Sequence, residues 1–174
     1  MNFLEQLVSE WYSYQGYFVQ TNVKVGKRKA GGFEGELDVV AYHPERKEVV
    51  HIETSMDAHP WDKRRQEFKR KFQRGARHIP GLFPFLQDLA VRQEAVFGFP
   101  RTTRDKQLLG ERVEVYLMPQ LVAKISKALA GTTVESGVIP ENYPLLRAMQ
   151  FALDFGGHLK PIQRGSRATE PQQR

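Results

Sequence analysis

Cysteine is absent from all 174 residues, which removes a disulfide scaffold, a thiolate zinc site and a cysteine nucleophile together and fits a cytoplasmic life. Long apolar runs are missing too. None approaches the ~20 residues that a bilayer span requires, so no membrane partner is expected. The stretch Met1 to Trp11 carries Glu5 and Glu10 with no leading basic residue and does not read as a signal peptide. Acidic side chains are nearly lacking from one segment: Lys63 to His78 holds eight Lys or Arg against the single Glu67. That segment is +7 in a chain whose total is +6, so the remainder is close to neutral. The basicity belongs to one element, and a localised basic stripe is the electrostatic footprint of a polyanion binder.

What is present suffices for a core. With 40% hydrophobic and 26% charged residues the composition is that of a globular domain, and residues 1–156 are expected to form one. From 157 to 174 the chain turns to Gln, Arg, Pro, Ser and Gly, which predicts a disordered basic tail.

The hydrophobic period assigns the elements. Leu4, Leu7, Val8 and Trp11 predict a helix over Asn2 to Gln15, closed by Gly16. Tyr17 to Val25 reads as a strand, followed by the basic, glycine-containing loop Lys27 to Gly32. Glu36 to Tyr42 alternates, with Leu37, Val39 and Ala41 on one face and Glu36, Asp38, Val40 and Tyr42 on the other. Glu48 to Ser55 alternates again, opposing Val50 and Ile52 to Val49, His51, Glu53 and Ser55. A turn around Pro44 joins the two, giving a three-stranded meander. From Trp61 to Ile79 the period becomes helical, with Trp61, Phe68, Phe72, Ala76 and Ile79 in one stripe and Lys63, Arg70, Arg74 and Arg77 opposite. Pro80 to Pro84 is expected to break that helix before a short helical stretch around Phe85 to Val91. Strands are predicted at Ala95 to Phe99 and Arg112 to Leu117, and helices at Pro119 to Ala130 and Pro144 to Phe155.

Two strands joined by a short turn, each with an acid on its polar face, bring Asp38 and Glu53 side by side. Such like charges are tolerated when a divalent cation sits between them. The plain alternative is two ordinary acids on solvent-facing positions, but Val40, Tyr42 and Val49 share their face and imply that it is partly covered.

The run Glu5, Gly16-Tyr17, Asn22, Gly35-Glu36-Leu37-Asp38 and Ile52-Glu53-Thr54-Ser55 resembles the PD-(D/E)xK nuclease superfamily over about the first third of the chain, and its GExD wording is similar to that of archaeal junction resolvases. The resemblance implies a restriction-endonuclease-like α/β core: a central mixed four- to five-stranded sheet flanked by helices, in the order αβββαβ with an extra C-terminal strand and helices. It implies DNA hydrolysis with Mg²⁺ or Mn²⁺, Asp38 and Glu53 as metal ligands, Glu5 as the helix glutamate, and cutting as a homodimer as one arrangement. Glu5 also has a reading without function, since the macrodipole favours an acid in a first helical turn, and Glu36 is either a ligand or the solvent end of its strand.

The family's lysine is missing, and Ser55 stands in its place. A hydroxyl cannot supply the ammonium that orients the attacking water and steadies developing negative charge. Either the lysine has moved to an element overhanging the site, with Lys63 and Lys69 as candidates and Gln66 beside them, or the chain keeps the fold as an inactive nucleic-acid-binding protein or as a subunit of a larger nuclease complex. Nucleic-acid contact is expected from Lys63, Arg64, Arg70, Lys71, Arg74 and Arg77, with Lys27, Arg28 and Lys29 as a second patch, because a phosphate backbone relieves their mutual repulsion. His51 and His59 match no zinc spacing, so a histidine partnering a carboxylate or facing solvent is expected. Trp61 is read as core.

Overall fold

A computed structural model describes residues 2–86, 89–99 and 112–158. It is an α/β structure with a five-stranded mixed sheet flanked by helices. The elements run α1 (Phe3–Tyr14), β1 (Phe18–Lys27), β2 (Phe33–His43), β3 (Glu48–Ser55), α2 (Trp61–Leu82), β4 (Val91–Phe97), β5 (Val113–Leu117), α3 (Met118–Leu129) and α4 (Pro144–Phe155), with one short turn of 3₁₀ helix at Gly156–His158. The expected tail falls almost wholly on 159–174, outside the described residues.

The sheet order follows the chain, β1-β2-β3-β4-β5. The first three strands are an antiparallel meander, whereas β4 joins β3 in parallel and β5 joins β4 likewise. Parallel pairing needs a crossover, which α2 provides between β3 and β4. One sheet face, carrying Val39, Ala41, Val50, Ile52 and Val96, is covered by Leu4, Leu7, Val8 and Trp11 of α1 together with Leu121 and Ile125 of α3 and Leu146 of α4. The opposite face lies under α2, through Phe68 and Phe72 against Ala95 and Phe97 and through Ile79 against Val40 and Val49.

The first helix is set by its ends. Asn2 Oδ1 accepts from the Leu4 and Glu5 amides, and the Glu5 carboxylate accepts from the Asn2 amide at 3.0 Å, a capping box. Gly16, at φ +88°, turns the chain out of it. The helix's buried acid is Glu10, whose Oε2 takes the amides of Leu145 and Leu146 and so caps α4.

Four local expectations change. Helix α2 continues through Pro80 to Leu82, because a proline so near the end removes only one amide donor. The short helix expected around Phe85 to Val91 is not formed among the described residues, where 84–85 is a turn and Val91 already begins β4; Gln87 and Asp88 lie outside them. Strand β4 therefore starts four residues before Ala95: its early inward positions carry Arg92 and Glu94, which answer Glu48 and the Tyr12 hydroxyl and hide the strand from an apolar pattern. Leu37 packs with Val25, Val40, Val49 and Ile79 rather than with Val39 and Ala41. Asn22, the β1 residue opposite Asp38 between the pairs Thr21–Val39 and Val23–Leu37, is left-handed at φ +53° and disturbs the alternation there.

Candidate active site

The β2–β3 ladder runs from His43–Glu48 to Val39–Ile52. Beyond that pair the strands part, β2 continuing with β1 and β3 continuing with β4. Asp38 and Glu53 are the next two residues, facing each other where the fork opens. Asp38 Oδ2 replaces the lost ladder acceptor by taking the Thr54 amide at 2.8 Å. Both acids turn toward α2. Asp38 is nearly buried and Glu53 wholly so.

Over the fork lies Lys71, whose Nζ is 2.8 Å from Asp38 Oδ1, 2.9 Å from Asp38 Oδ2 and 2.7 Å from Glu53 Oε2. An ammonium from α2 thus reaches both carboxylates, at a position expected from the sequence among the nucleic-acid contacts. Helical geometry gives the reason. At about 100° per residue, Lys71 falls beside Arg64, seven residues earlier, and Gly75, four later, both on the buried stripe with Phe68, Phe72 and Ile79. Lys69 and Gln66 fall on the exposed outer face. Lys63 is also exposed, with Nζ 3.4 Å from His59 Nε2.

His51 completes the group from β3. Its ring is fully buried, edge-on to Phe72 at 5.2 Å, and its Nε2 is 2.7 Å from Glu53 Oε1. Of the two expected roles, partnering a carboxylate or facing solvent, His51 has the first. The ring fits because α2 presents Gly75: a Cβ there would stand 2.2 Å from His51 Nδ1.

Lys71 is a single ammonium serving two carboxylates, so these three groups carry net negative charge in a covered place. Burial first, and then the Glu53 charge, hold the Asp38 carboxyl above its ordinary range despite Lys71. For Glu53, burial opposes ionisation, but the His51 hydrogen bond and Lys71 outweigh it and hold the carboxyl below the usual range. Lys71 is likewise desolvated, yet the charges of Glu53 and Asp38 hold it above its ordinary value.

These directions set opposite pH dependences. Glu53 contributes stability above its unfolded value, lost as pH falls through its depressed folded value. Asp38 contributes stability below its unfolded value, lost as pH rises through its elevated folded value. In metal-free protein, Asp38→Asn is therefore expected to raise the melting temperature at pH 7 and to do so much less near pH 3, where Asp38 is protonated folded or unfolded. An equal effect at both pH values, by scanning calorimetry, would contradict this charge assignment.

The other site expectations separate. Glu5 is engaged in the capping box with Asn2 rather than brought to the Asp38–Glu53 fork, because the first-turn position that suggested function also suits a cap. Glu36 is exposed at the strand's solvent end. Ser55 Oγ accepts the Asp57 amide at 3.2 Å, a turn contact. Arg64 is removed from the nucleic-acid surface: it is 2% exposed, its guanidinium 5.2 Å from the ring centroids of both Trp61 and Phe97. Ala76 is exposed and Gly75 takes its place in the buried stripe, which leans one residue toward Lys71. Lys27, Arg28 and Lys29 remain exposed. Arg28 shares a cleft of about 470 Å³ with Arg70, Gln73, Arg74 and Arg77.

Glu53 Oε2 has no well-directed hydrogen bond despite its burial, and with Asp38 Oδ1 it converges on one cationic point. That donor chemistry suits a hard divalent ion, although no group of three or more His, Asp or Glu among the described residues is arranged to hold a metal. No helix among them is long and apolar enough to cross a membrane.

No protein-family model matches the sequence, and no curated protein matches it. Among solved structures, one described as a protein of unknown function, AF1548, is similar with a TM-score of 0.48 at 14% identity, over 88% of this chain and 98% of its own. What the fold and site define without it is an α/β protein with a buried Asp–Lys–Glu–His cluster where a sheet forks beneath a basic helix.

Proposed function

We propose that this protein is a metal-dependent nuclease of restriction-endonuclease-like fold that hydrolyses phosphodiester bonds in DNA. The observation that carries the reading is the Lys71 ammonium within hydrogen-bonding distance of both Asp38 and Glu53, which puts the three charges such a site needs at one point although the motif lysine is a serine. Asp38 and Glu53 would hold Mg²⁺ or Mn²⁺, and that ion would supply water activation and charge neutralisation at the phosphorane. The chain's own groups do the rest. The Thr54 amide fixes Asp38, His51 fixes Glu53, and Lys71, released from the carboxylates, is placed to orient water and to donate to the oxygen on which charge develops.

The experiment is incubation with labelled duplex, branched and single-stranded DNA and Mg²⁺ or Mn²⁺. Cleavage that is lost in Asp38→Asn and Glu53→Gln supports the reading; cleavage that survives both overturns it. One observation favours a second reading, an inactive nucleic-acid-binding protein or nuclease-complex subunit: Lys71 already occupies the point between the carboxylates and lessens their need for a metal. That reading expects salt-dependent DNA retention with no cutting under any divalent ion.

A further inference from the structure

Beside the site, the exposed face of α2 and the β1–β2 hairpin enclose the cleft lined by Arg28, Glu34, Arg70, Gln73, Arg74 and Arg77. Two glycines make room for its walls. A Cβ on Gly35 would stand 2.3 Å from the Arg74 guanidinium carbon, so Arg74 lies flat across the β2 backbone, its Nη1 3.5 Å from the Glu36 carbonyl. A Cβ on Gly26, itself at φ +68°, would stand 2.6 Å from Glu34 Cγ. That leaves the Glu34 carboxylate in the wall of the cleft, its Oε2 3.0 Å from His78 Nε2 and 3.3 Å from Arg77 Nη1. A carboxylate among guanidinium groups occupies the place that a phosphate oxygen takes.

We propose that this cleft seats the DNA phosphodiester next to the one held at Asp38, Glu53 and Lys71, and that Glu34 fills the phosphate position in the free protein until the strand displaces it. The proposal deepens the nuclease reading and rests on it for the direction of the strand. With a rise of about 1.5 Å per helical residue, Arg74 lies about 4.5 Å along α2 from Lys71 and Arg77 about 9 Å, so the cleft continues from the site along the helix. Arg77 is 68% exposed and Glu34 39%, so their ion pair is of the weak, screened kind that a phosphate exchanges readily.

The test is anisotropy of labelled single-stranded and duplex DNA oligonucleotides with the full-length protein in EDTA, across a series of salt concentrations. Glu34→Gln is expected to bind several-fold tighter and to steepen the dependence of log K on log salt by about one. Arg74→Ala is expected to weaken binding similarly for all sequences and to cancel the gain when combined with Glu34→Gln. Unchanged affinity and slope in Glu34→Gln, or unchanged binding in Arg74→Ala, overturns the cleft. Because binding is read without metal, the two readings fail separately. A cutting enzyme with an inert Glu34→Gln loses only the cleft, and a tighter Glu34→Gln that never cuts with Mg²⁺ or Mn²⁺ loses only the nuclease.

Discussion

Replacing Lys71 by methionine is expected to lower the rate of DNA cleavage by about 10² to 10⁴, the range that a positioned acid–base or charge-stabilising group supplies, while Lys63→Met and Lys69→Met stay within a few-fold of wild type. The distinction is geometric, since among the three only Lys71 reaches the carboxylates. Methionine keeps the length and apolar stem and removes the charge alone. It also leaves Asp38 and Glu53 facing each other with no ammonium between them. Breaking a fully buried ion pair costs roughly 3–5 kcal/mol, and with Lys71 still 30% exposed a smaller loss, about 1–3 kcal/mol, is expected. A second readout separates the site from simple damage. If the carboxylate pair takes a divalent ion, Mn²⁺ should raise the melting temperature of Lys71→Met more than that of wild type, because in the variant the ion has no ammonium to displace. A Lys71→Met protein that cuts at the wild-type rate removes Lys71 from the chemistry, and one that Mn²⁺ does not stabilise argues against Asp38 and Glu53 as metal ligands.

Gly75→Ala is the second large effect, and here two contributions oppose. Alanine favours a helix interior over glycine by up to about 1 kcal/mol, which alone would stabilise α2. The new methyl would stand 2.2 Å from His51 Nδ1 and 2.3 Å from Cε1. His51 can step aside only at a cost, because it is wholly buried, rests against Phe72 and is tied to Glu53. Overpacking of this kind costs typically about 1–3 kcal/mol and sometimes more, so the clash wins. A drop in melting temperature of several degrees is expected, at about 2–4 °C per kcal/mol for a chain of this size. Moving His51 also frees Glu53 Oε1, and loss of a group that orients a metal ligand typically costs about 10- to 100-fold in metal affinity or activity. A double-mutant cycle decides the cause. In a His51→Ala background the methyl meets no ring, so Gly75→Ala should become neutral or stabilising; an undiminished penalty there would place the strain elsewhere in α2.

These variants also show where reading the chain stopped short. Lys71 stood in plain view as one of eight basic residues between Lys63 and His78, and its surroundings made it look like a phosphate contact. The signal that separates it is a shift of the stripe. Counting Gly75 in place of Ala76, and accepting Arg64 as buried, rotates the apolar face until Lys71 borders it on the side of the carboxylates. No hydropathy scale does this, because glycine and arginine do not score as core. Arg64 is buried where Trp61 of the same helix and Phe97 of β4 offer their rings to its guanidinium. Glu5 shows the ambiguity from the other side, since a first-turn glutamate is as good a cap as a ligand, and the structure shows it in a capping box with Asn2.

Sequence by itself determined the order αβββα with its further strands and helices, the alternation that turns Asp38, His51 and Glu53 to one side of the sheet, and the concentration of charge on α2. These are properties of period and composition, which each segment carries alone. Tertiary structure decided what depends on distance between segments: the fork beyond the Val39–Ile52 pair that lets Asp38 capture the Thr54 amide, the choice of Lys71 over Lys63 and Lys69, and the missing Cβ of Gly75 that admits His51. Each follows from how far α2 approaches the sheet and at what rotation, a quantity set by Phe68, Phe72 and Ile79 packing against β2, β3 and β4 and written in no single stretch of the chain.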